Sequence, residues 1–226
     1  FKLGTATKEI RNNGELVVVD TEKYGPLEFE AVLHATGRRA NTEGLGLENT
    51  DIELRPNGTI VVDEFCQTAV ENVFAVGDVN GGLQFTYVSL DDFRVVNGYL
   101  HGNKEYTTAD RKNVPYSTFI SPALSHVGLH KEEAEAAYPN VAVASLPVAN
   151  MPRGAVNQDP RGLFRVTVDK DTNLILGATL FGKNSEEIIN LIKMAIDNKI
   201  PYTYIRDQIF THPTMAENLN DVFKLI

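Results

Sequence analysis

The segment from Leu163 to Asn198 constrains the fold of this chain most. Two β-rich runs, Leu163–Val168 and Leu174–Phe181, flank the turn residues at 171–173, and this pattern predicts an antiparallel hairpin. A helix is predicted directly afterwards, from Ser185 to about Asn198. Its apolar residues recur with the spacing of a helix that packs on a sheet: Ile188, Leu191, Ile192, Ala195 and Ile196. The segment therefore predicts an α+β fold, with an antiparallel sheet and helices on one face.

The sequence around this segment extends the same architecture. Further strands are predicted at 116–120, 124–127 and 141–148, with a short acidic helix at 131–138 between the last two. A short helical segment at 203–208 and a final helix complete the pattern; the final helix carries Leu219, Val222 and Phe223. A polar stretch at 107–113 precedes Pro115 and marks a boundary. Residues 111–226 are therefore expected to form one domain.

The first half of the chain has a different pattern. Residues 1–34 contain three short strand-like runs separated by turns, which predicts a β-meander too small to be a domain. Residues 35–110 are rich in loops, with short strands expected at 59–63 and 73–76 and a helix at 89–100. Val73 to Val76 is apolar throughout, as in a strand that is buried on both faces.

Composition excludes several classes of partner. The formal charge of −9 argues against binding to nucleic acid or to an anionic membrane surface. No apolar run reaches the ~20 residues that a membrane-spanning helix needs. The single cysteine, Cys66, excludes an internal disulfide and fits a reducing compartment such as the cytoplasm. The chain begins at Phe1 rather than at a methionine, so we expect it to be a fragment.

The stretch Thr211–Glu217 is the strongest candidate site. Its sequence, THPTMAE, fits a capping box, in which Thr214 caps a helix and Glu217 lies three residues later. The same residues fit an acid/base pair, in which His212 transfers protons and Glu217 orients its ring. The local pattern leaves both possibilities open.

Two glycine-containing segments are candidate ligand sites. Thr36 and Gly37 follow directly on a predicted strand, where glycine allows a ligand to approach the backbone closely. Gly77 and Asp78 end the apolar run at 73–76, and a carboxylate at the end of such a strand can accept hydrogen bonds from ligand hydroxyls. The alternatives are an ordinary strand exit and a turn aspartate.

The histidines give a weaker signal. His126 and His130 are four residues apart, but the intervening VGL is strand or turn rather than helix, so the spacing does not predict a shared face or a metal site. The sequence contains no Gly-x-Gly-x-x-Gly, no Walker loop and no nucleophile elbow.

Three motifs in this order resemble the flavin-dependent pyridine nucleotide–disulfide oxidoreductases, which include glutathione reductase, dihydrolipoamide dehydrogenase and mercuric reductase. The motifs are ATGR with Asn41, then QT followed by VFAVGD, then HPT with Glu217. The segments GGLQFTY, SLDDFR, RKNVPY and RDQIF are similar to the bacterial branch named for reactive chlorine resistance protein A. That branch is associated with oxidative stress and with reduction of hypothiocyanous acid and cupric ion. Ala40 departs from the proline that is usual in the first motif.

The resemblance implies a role for each matched segment. Residues 1–34 would end the NAD(P)-binding domain, 35–110 would belong to the FAD-binding domain, and 111–226 would form the dimerisation domain of a homodimer. Gly77 and Asp78 would meet FAD, with Thr36 and Gly37 also near the cofactor. His212 would serve the redox dithiol of the partner subunit, and Glu217 would hydrogen-bond His212.

The family's dithiol and its Gly-x-Gly-x-x-Gly loops are missing from this chain. We therefore expect the isolated chain to bind no FAD tightly and to be inactive. In the complete enzyme, NAD(P)H would reduce FAD, then the dithiol, then a small oxidised substrate. Two alternatives stay open: a non-catalytic α+β dimerisation module, and a metal-binding stress protein that uses His126 and His130.

Overall fold

The computed structural model describes all residues, Phe1–Ile226, and divides into two compact units, Phe1–Gly102 and Asn103–Ile226. The fold is mixed α+β, with antiparallel sheets, as predicted. No helix in the structure combines the length and the apolar character that crossing a membrane requires.

The first unit begins with the predicted meander. Strands β1 (Thr7–Asn12), β2 (Val17–Thr21) and β3 (Gly25–Phe29) form an antiparallel sheet in the order β1-β2-β3. The helix expected from residue 89 begins three residues earlier, and α1 spans Thr86–Leu100.

The two strands predicted at 59–63 and 73–76 do not form in the first unit. The backbone there makes only isolated bridges, Leu54 with Ile60 and Gln67 with Phe74. Val73 and Val76 are both exposed, so the run at 73–76 is not buried on both faces. The physical reason is that a strand requires a hydrogen-bonded neighbour along its length, and here each run is hydrogen-bonded to its neighbours only at isolated residues.

The second unit contains a five-stranded antiparallel sheet in the order β4-β5-β8-β7-β6. The strands are β4 (Tyr116–Thr118), β5 (Leu124–Gly128), β6 (Val141–Pro147), β7 (Leu163–Asp169) and β8 (Ile175–Phe181). All five predicted strands are therefore confirmed. The hairpin β7–β8 turns at Asn173, whose positive φ of 60° suits asparagine.

Five helices accompany this sheet: α2 (Lys131–Ala137), α3 (Pro152–Val156), α4 (Ser185–Asp197), α5 (Tyr202–Asp207) and α6 (Asn218–Phe223). Only α3 was not predicted from the sequence. Helices α4, α5 and α6 each bury part of their apolar residues in one core with the strands. The largest fully buried side chains of that core are Phe164, Phe223, Met151, Leu180, Ile189, Ile192 and Leu219.

Candidate functional site

The predicted pair His212 and Glu217 is formed in the loop between α5 and α6. The ring nitrogen Nδ1 of His212 lies 3.1 Å from both Oε1 and Oε2 of Glu217. Because an ionised carboxylate can only accept hydrogen bonds, Nδ1 carries the proton and donates it. That assignment leaves Nε2 as the nitrogen that can exchange a proton with a ligand. The His212 side chain is 74% exposed and that of Glu217 only 14%.

The loop is fixed by buried neighbours and by local hydrogen bonds. Met215 is buried in the core of the second unit, three residues after His212. Asn218, at the start of α6, is also buried and donates from Nδ2 to the backbone oxygens of Thr214 and Met215 at 3.2 and 3.1 Å. These anchors position the exposed imidazole on a fixed backbone.

The capping box predicted here is not formed, because α6 begins only at Asn218 and no side chain caps its first turn; Thr214 instead closes a local turn before the helix. The hydroxyl of Thr214 accepts from the backbone N–H of Glu217 at 3.2 Å and donates to the carbonyl of Thr211 at 2.8 Å. The carboxylate of Glu217 does not close the box, because it accepts the hydrogen bond from His212 instead. A capping box would not have required the histidine, so this arrangement favours the acid/base interpretation.

In the first unit, the structure brings the two glycine-containing segments together. Arg38, which follows Thr36 and Gly37, donates from Nη1 to Oδ2 of Asp78 at 2.9 Å. Both side chains are substantially exposed, so the pair contributes little to stability. An exposed carboxylate beside a guanidinium is suited to a ligand that has both hydroxyl and phosphate groups.

Gly77 has a structural reason to be glycine. Its φ is +73°, and a Cβ at this position would lie 2.8 Å from the hydroxyl oxygen of Ser89 on α1. Gly37 also has a positive φ, +119°, but the space around it is open. The carboxylate of Asp78 and the guanidinium of Arg38 therefore fit part of a dinucleotide cofactor such as FAD.

Sequence inspection gave no role to Arg38, although Arg38 belongs to the ATGR motif. It also gave none to Asp92 on α1, whose Oδ2 accepts from the backbone N–H of Gly77 at 2.7 Å. Asp92 lies on the same side of α1 as buried Val88 and Val95, and a carboxylate at that apolar spacing is the signal that could have identified it.

His126 and His130 do come together, contrary to the prediction from their spacing. Their rings stack with centroids 3.7 Å apart and an interplanar angle of 15°. The chain turns between them because Gly128 has a positive φ of 77°. His126 Nδ1 lies 2.8 Å from the hydroxyl of Thr179, and Nε2 lies 2.9 Å from the carbonyl of Gly128.

These contacts use both nitrogens of His126. Since a carbonyl accepts, Nε2 carries the proton, and Nδ1 accepts from the threonine hydroxyl. Burial lowers the pKa of His126 below its usual value. Both ring nitrogens are therefore engaged in hydrogen bonds within the protein. The structure contains no cluster of three metal-ligating side chains.

Comparison with known families identifies the chain. The model of the pyridine nucleotide-disulphide oxidoreductases matches residues 1–92, and the model of their dimerisation domain matches residues 114–223. The chain belongs to this family. Between them, the two models include every candidate site residue.

Individual relatives agree with this assignment. The chain is 45% identical over 224 residues to the probable pyridine nucleotide-disulfide oxidoreductase RclA of Escherichia coli, covering 99% of this chain and 51% of that protein. It is 34% identical to the glutathione reductase of Burkholderia cepacia, covering 96% and 48%. The chain thus spans about half the length of these relatives.

Solved structures agree as well. The HOCl-induced flavoprotein disulfide reductase RclA from Escherichia coli superposes with a TM-score of 0.92 at 45% identity, covering 98% of this chain and 51% of that one. LpdA from Mycobacterium tuberculosis has a TM-score of 0.86 at 21% identity, covering 97% and 48%, which shows a shared fold.

Proposed function

We propose that this chain is the C-terminal part of an FAD-dependent NAD(P)H disulfide oxidoreductase. In this proposal it supplies the dimer interface and donates His212 and Glu217 to the dithiol and flavin site of a partner subunit. The observation that carries the proposal is the exposed His212 imidazole, hydrogen-bonded through Nδ1 to a largely buried carboxylate in a dimerisation domain.

The pair has the chemistry that thiol–disulfide exchange requires. When a disulfide is reduced, each sulfur gains one electron, and the leaving sulfur departs as a thiolate that needs a proton. Nε2 of His212 would deliver and recover that proton, while Glu217 keeps Nδ1 protonated and the ring oriented. Glu217 also stabilises the imidazolium form, as the orienting carboxylate does in other acid/base pairs.

The dithiol itself must come from elsewhere. Cys66 is the only cysteine of this chain, and it is fully buried. A pair of cysteines on another part of the enzyme therefore supplies the thiols in this proposal. Residues 1–34, 35–110 and 111–226 would be the end of the NAD(P)-binding domain, part of the FAD-binding domain and the dimerisation domain.

The surface of the second unit offers a place for a second copy. On α4, Leu191 and Met194 are exposed although Ile188, Ile192 and Ala195 are buried. Tyr204 and Ile209 are exposed in the following segment. The four exposed residues form the proposed dimer surface. Helix α6 buries Leu219, Val222 and Phe223 in the core, so it offers mainly polar residues to a partner.

In the complete enzyme, FAD would pass electrons from NAD(P)H to the dithiol. Within this chain, Asp78 would accept hydrogen bonds from hydroxyl groups of the cofactor, and Arg38 would pair with its phosphate. Thr36 and Gly37 would line the same place. We propose that the isolated chain binds FAD weakly, because these residues form only part of a site.

The same relatives support a proposal for the substrate class and the cellular conditions of this enzyme. RclA from Escherichia coli is described as induced by HOCl and has been solved as a Cu(II) complex. We propose that the enzyme of this chain acts on a small oxidised molecule under oxidative stress, in the cytoplasm. Nucleic acid and membrane surfaces are not proposed partners, because the net charge is −9.

The test is His212→Gln in the full-length protein, with His101→Gln as the matched control. His101 is an exposed histidine at the end of α1. We expect dithiol-dependent turnover to fall about 100-fold or more in His212→Gln, while the control and the unfolding temperatures stay near wild type. If His212→Gln retains full turnover, the histidine has no acid/base role, and the non-catalytic dimerisation module becomes the better description.

A further inference from the structure

We infer that Asp92 is a positioning residue for the flavin, because it fixes the turn that presents Asp78. This inference rests on the proposed function and extends it to a residue inside α1. Asp92 is 1% exposed. It lies on the helix face that also buries Val88 and Val95, where an apolar side chain would ordinarily be expected.

One oxygen of Asp92 holds both ends of the turn Gly77–Asn80. Its Oδ2 accepts from the backbone N–H of Gly77 at 2.7 Å and from the side-chain amide of Asn80 at 3.0 Å. Asn80 also donates to the carbonyl of Ala75 at 3.3 Å and accepts from the N–H of Gly82 at 3.0 Å. The turn is therefore tied to α1 at its first and last residues.

The same helix also requires glycine at the first residue of the turn. A Cβ at Gly77 would lie 2.8 Å from the hydroxyl oxygen of Ser89, three residues before Asp92 on α1. Gly77 also has a positive φ of 73°. The turn therefore fits against α1 through the hydrogen bonds to Asp92 and through the lack of a side chain at Gly77.

Asp78 lies between the two residues that Asp92 holds. Its own side chain is 46% exposed and bonds to Arg38. A ligand-binding carboxylate is most effective when its backbone is fixed beforehand, because less freedom is lost on binding. Burying a carboxylate is costly unless it is hydrogen-bonded, and at Asp92 that cost is offset by the hydrogen bonds from Gly77 and Asn80 that order the turn.

The experiment compares Asp92→Asn with Asp91→Asn in the full-length protein. Asp91 is the neighbouring carboxylate, and its Oδ1 lies 3.6 Å from Nη1 of Arg94. Asparagine keeps the size of the side chain and one acceptor oxygen but replaces a charge-assisted bond with a neutral one. Asn80→Ala serves as a second variant, because it removes only the side-chain bond.

Flavin affinity is measured by titrating FAD into apo-protein, and the visible circular dichroism of the bound flavin reports its environment. We expect Asp92→Asn to raise the FAD dissociation constant about tenfold and to change the dichroism. Asn80→Ala should have a smaller effect in the same direction, and Asp91→Asn should match wild type.

A merely structural role for Asp92 would give a different result. If Asp92→Asn lowers the unfolding temperature of apo-protein but leaves FAD affinity and dichroism at the level of Asp91→Asn, the inference is overturned. If wild-type full-length protein binds no FAD, the proposed function fails at its first step. The two failures are therefore distinguishable.

Discussion

The anchoring of the His212 loop by Met215 leads to a quantitative prediction. Met215 is 2% exposed. Its terminal methyl group and side-chain atoms of Phe164 and Val148 all lie near the position that a Cβ of Gly182 would occupy. The substitution Met215→Ala removes the methionine side chain from this group and leaves a cavity in the core, to which Phe164 and Val148 also belong. Buried methionine-to-alanine changes cost about 2–5 kcal/mol.

We expect a value near the middle of that range, about 3 kcal/mol, because Met215 is on a loop that can partly relax. For a domain the size of the second unit, about 4 °C is lost per kcal/mol, so the unfolding temperature should fall by about 12 °C. Thermal unfolding of the 226-residue chain, followed by circular dichroism, measures this change.

Met215→Leu is the matched control, since it keeps the volume and should cost less than about 1.5 kcal/mol. A loss below about 1 kcal/mol in Met215→Ala would refute the reasoning, because it would show that the loop does not depend on this anchor.

Three further predictions concern the second unit. Burial lowers the pKa of His126, so the contribution of His126 to the free energy of unfolding should be constant above neutral pH and fall as pH drops below about 6.5, where the unfolded chain takes up the proton more readily; His126→Gln should reduce the slope of stability against pH in denaturation series from pH 5 to 8. Gly128→Ala should lower the urea midpoint strongly, because the added Cβ would lie 2.3 Å from the carbonyl oxygen of Leu176; an unchanged midpoint would contradict the geometry. Glu217→Gln in the full-length enzyme should lower turnover about fivefold to tenfold, because a neutral hydrogen bond to His212 replaces a charge-assisted one; turnover equal to wild type would contradict its orienting role.

Much of the second unit was predictable from the sequence, for a local reason. Most of its strands and helices have their own apolar periodicity, and the partners that bury them lie in the same chain. The hairpin β7–β8 and helix α4 are clear examples, since the stripe from Ile188 to Ile196 matches a sheet that the chain itself builds.

The first unit was predicted less well because periodicity does not supply a strand with neighbours. The run from Val73 to Val76 has the composition of a buried strand, yet it makes one bridge and remains partly exposed. Arg38 and Asp78 form an ion pair although they are 40 positions apart in the sequence. No local sequence pattern predicts such a pair.

At the candidate site, the sequence identified His212, Thr214 and Glu217, but it did not decide between a capping box and an acid/base pair. Glu217 had two possible partners, the backbone at Thr214 and the ring of His212. The structure shows that the carboxylate binds the ring while the threonine hydroxyl alone caps the turn. Likewise, the stacking of His126 on His130 depends on the turn at Gly128, which residue spacing does not specify.

Mixed dimers test most directly the proposal that His212 serves a site on another subunit. One protomer of the full-length enzyme carries His212→Gln and the other lacks the redox cysteines, with different tags so that only mixed dimers are purified. Donation between subunits predicts about half of the wild-type activity per dimer, because one of two sites is complete. Donation within a subunit predicts no activity, because neither protomer would then hold both the cysteines and the histidine, and that result would contradict the account.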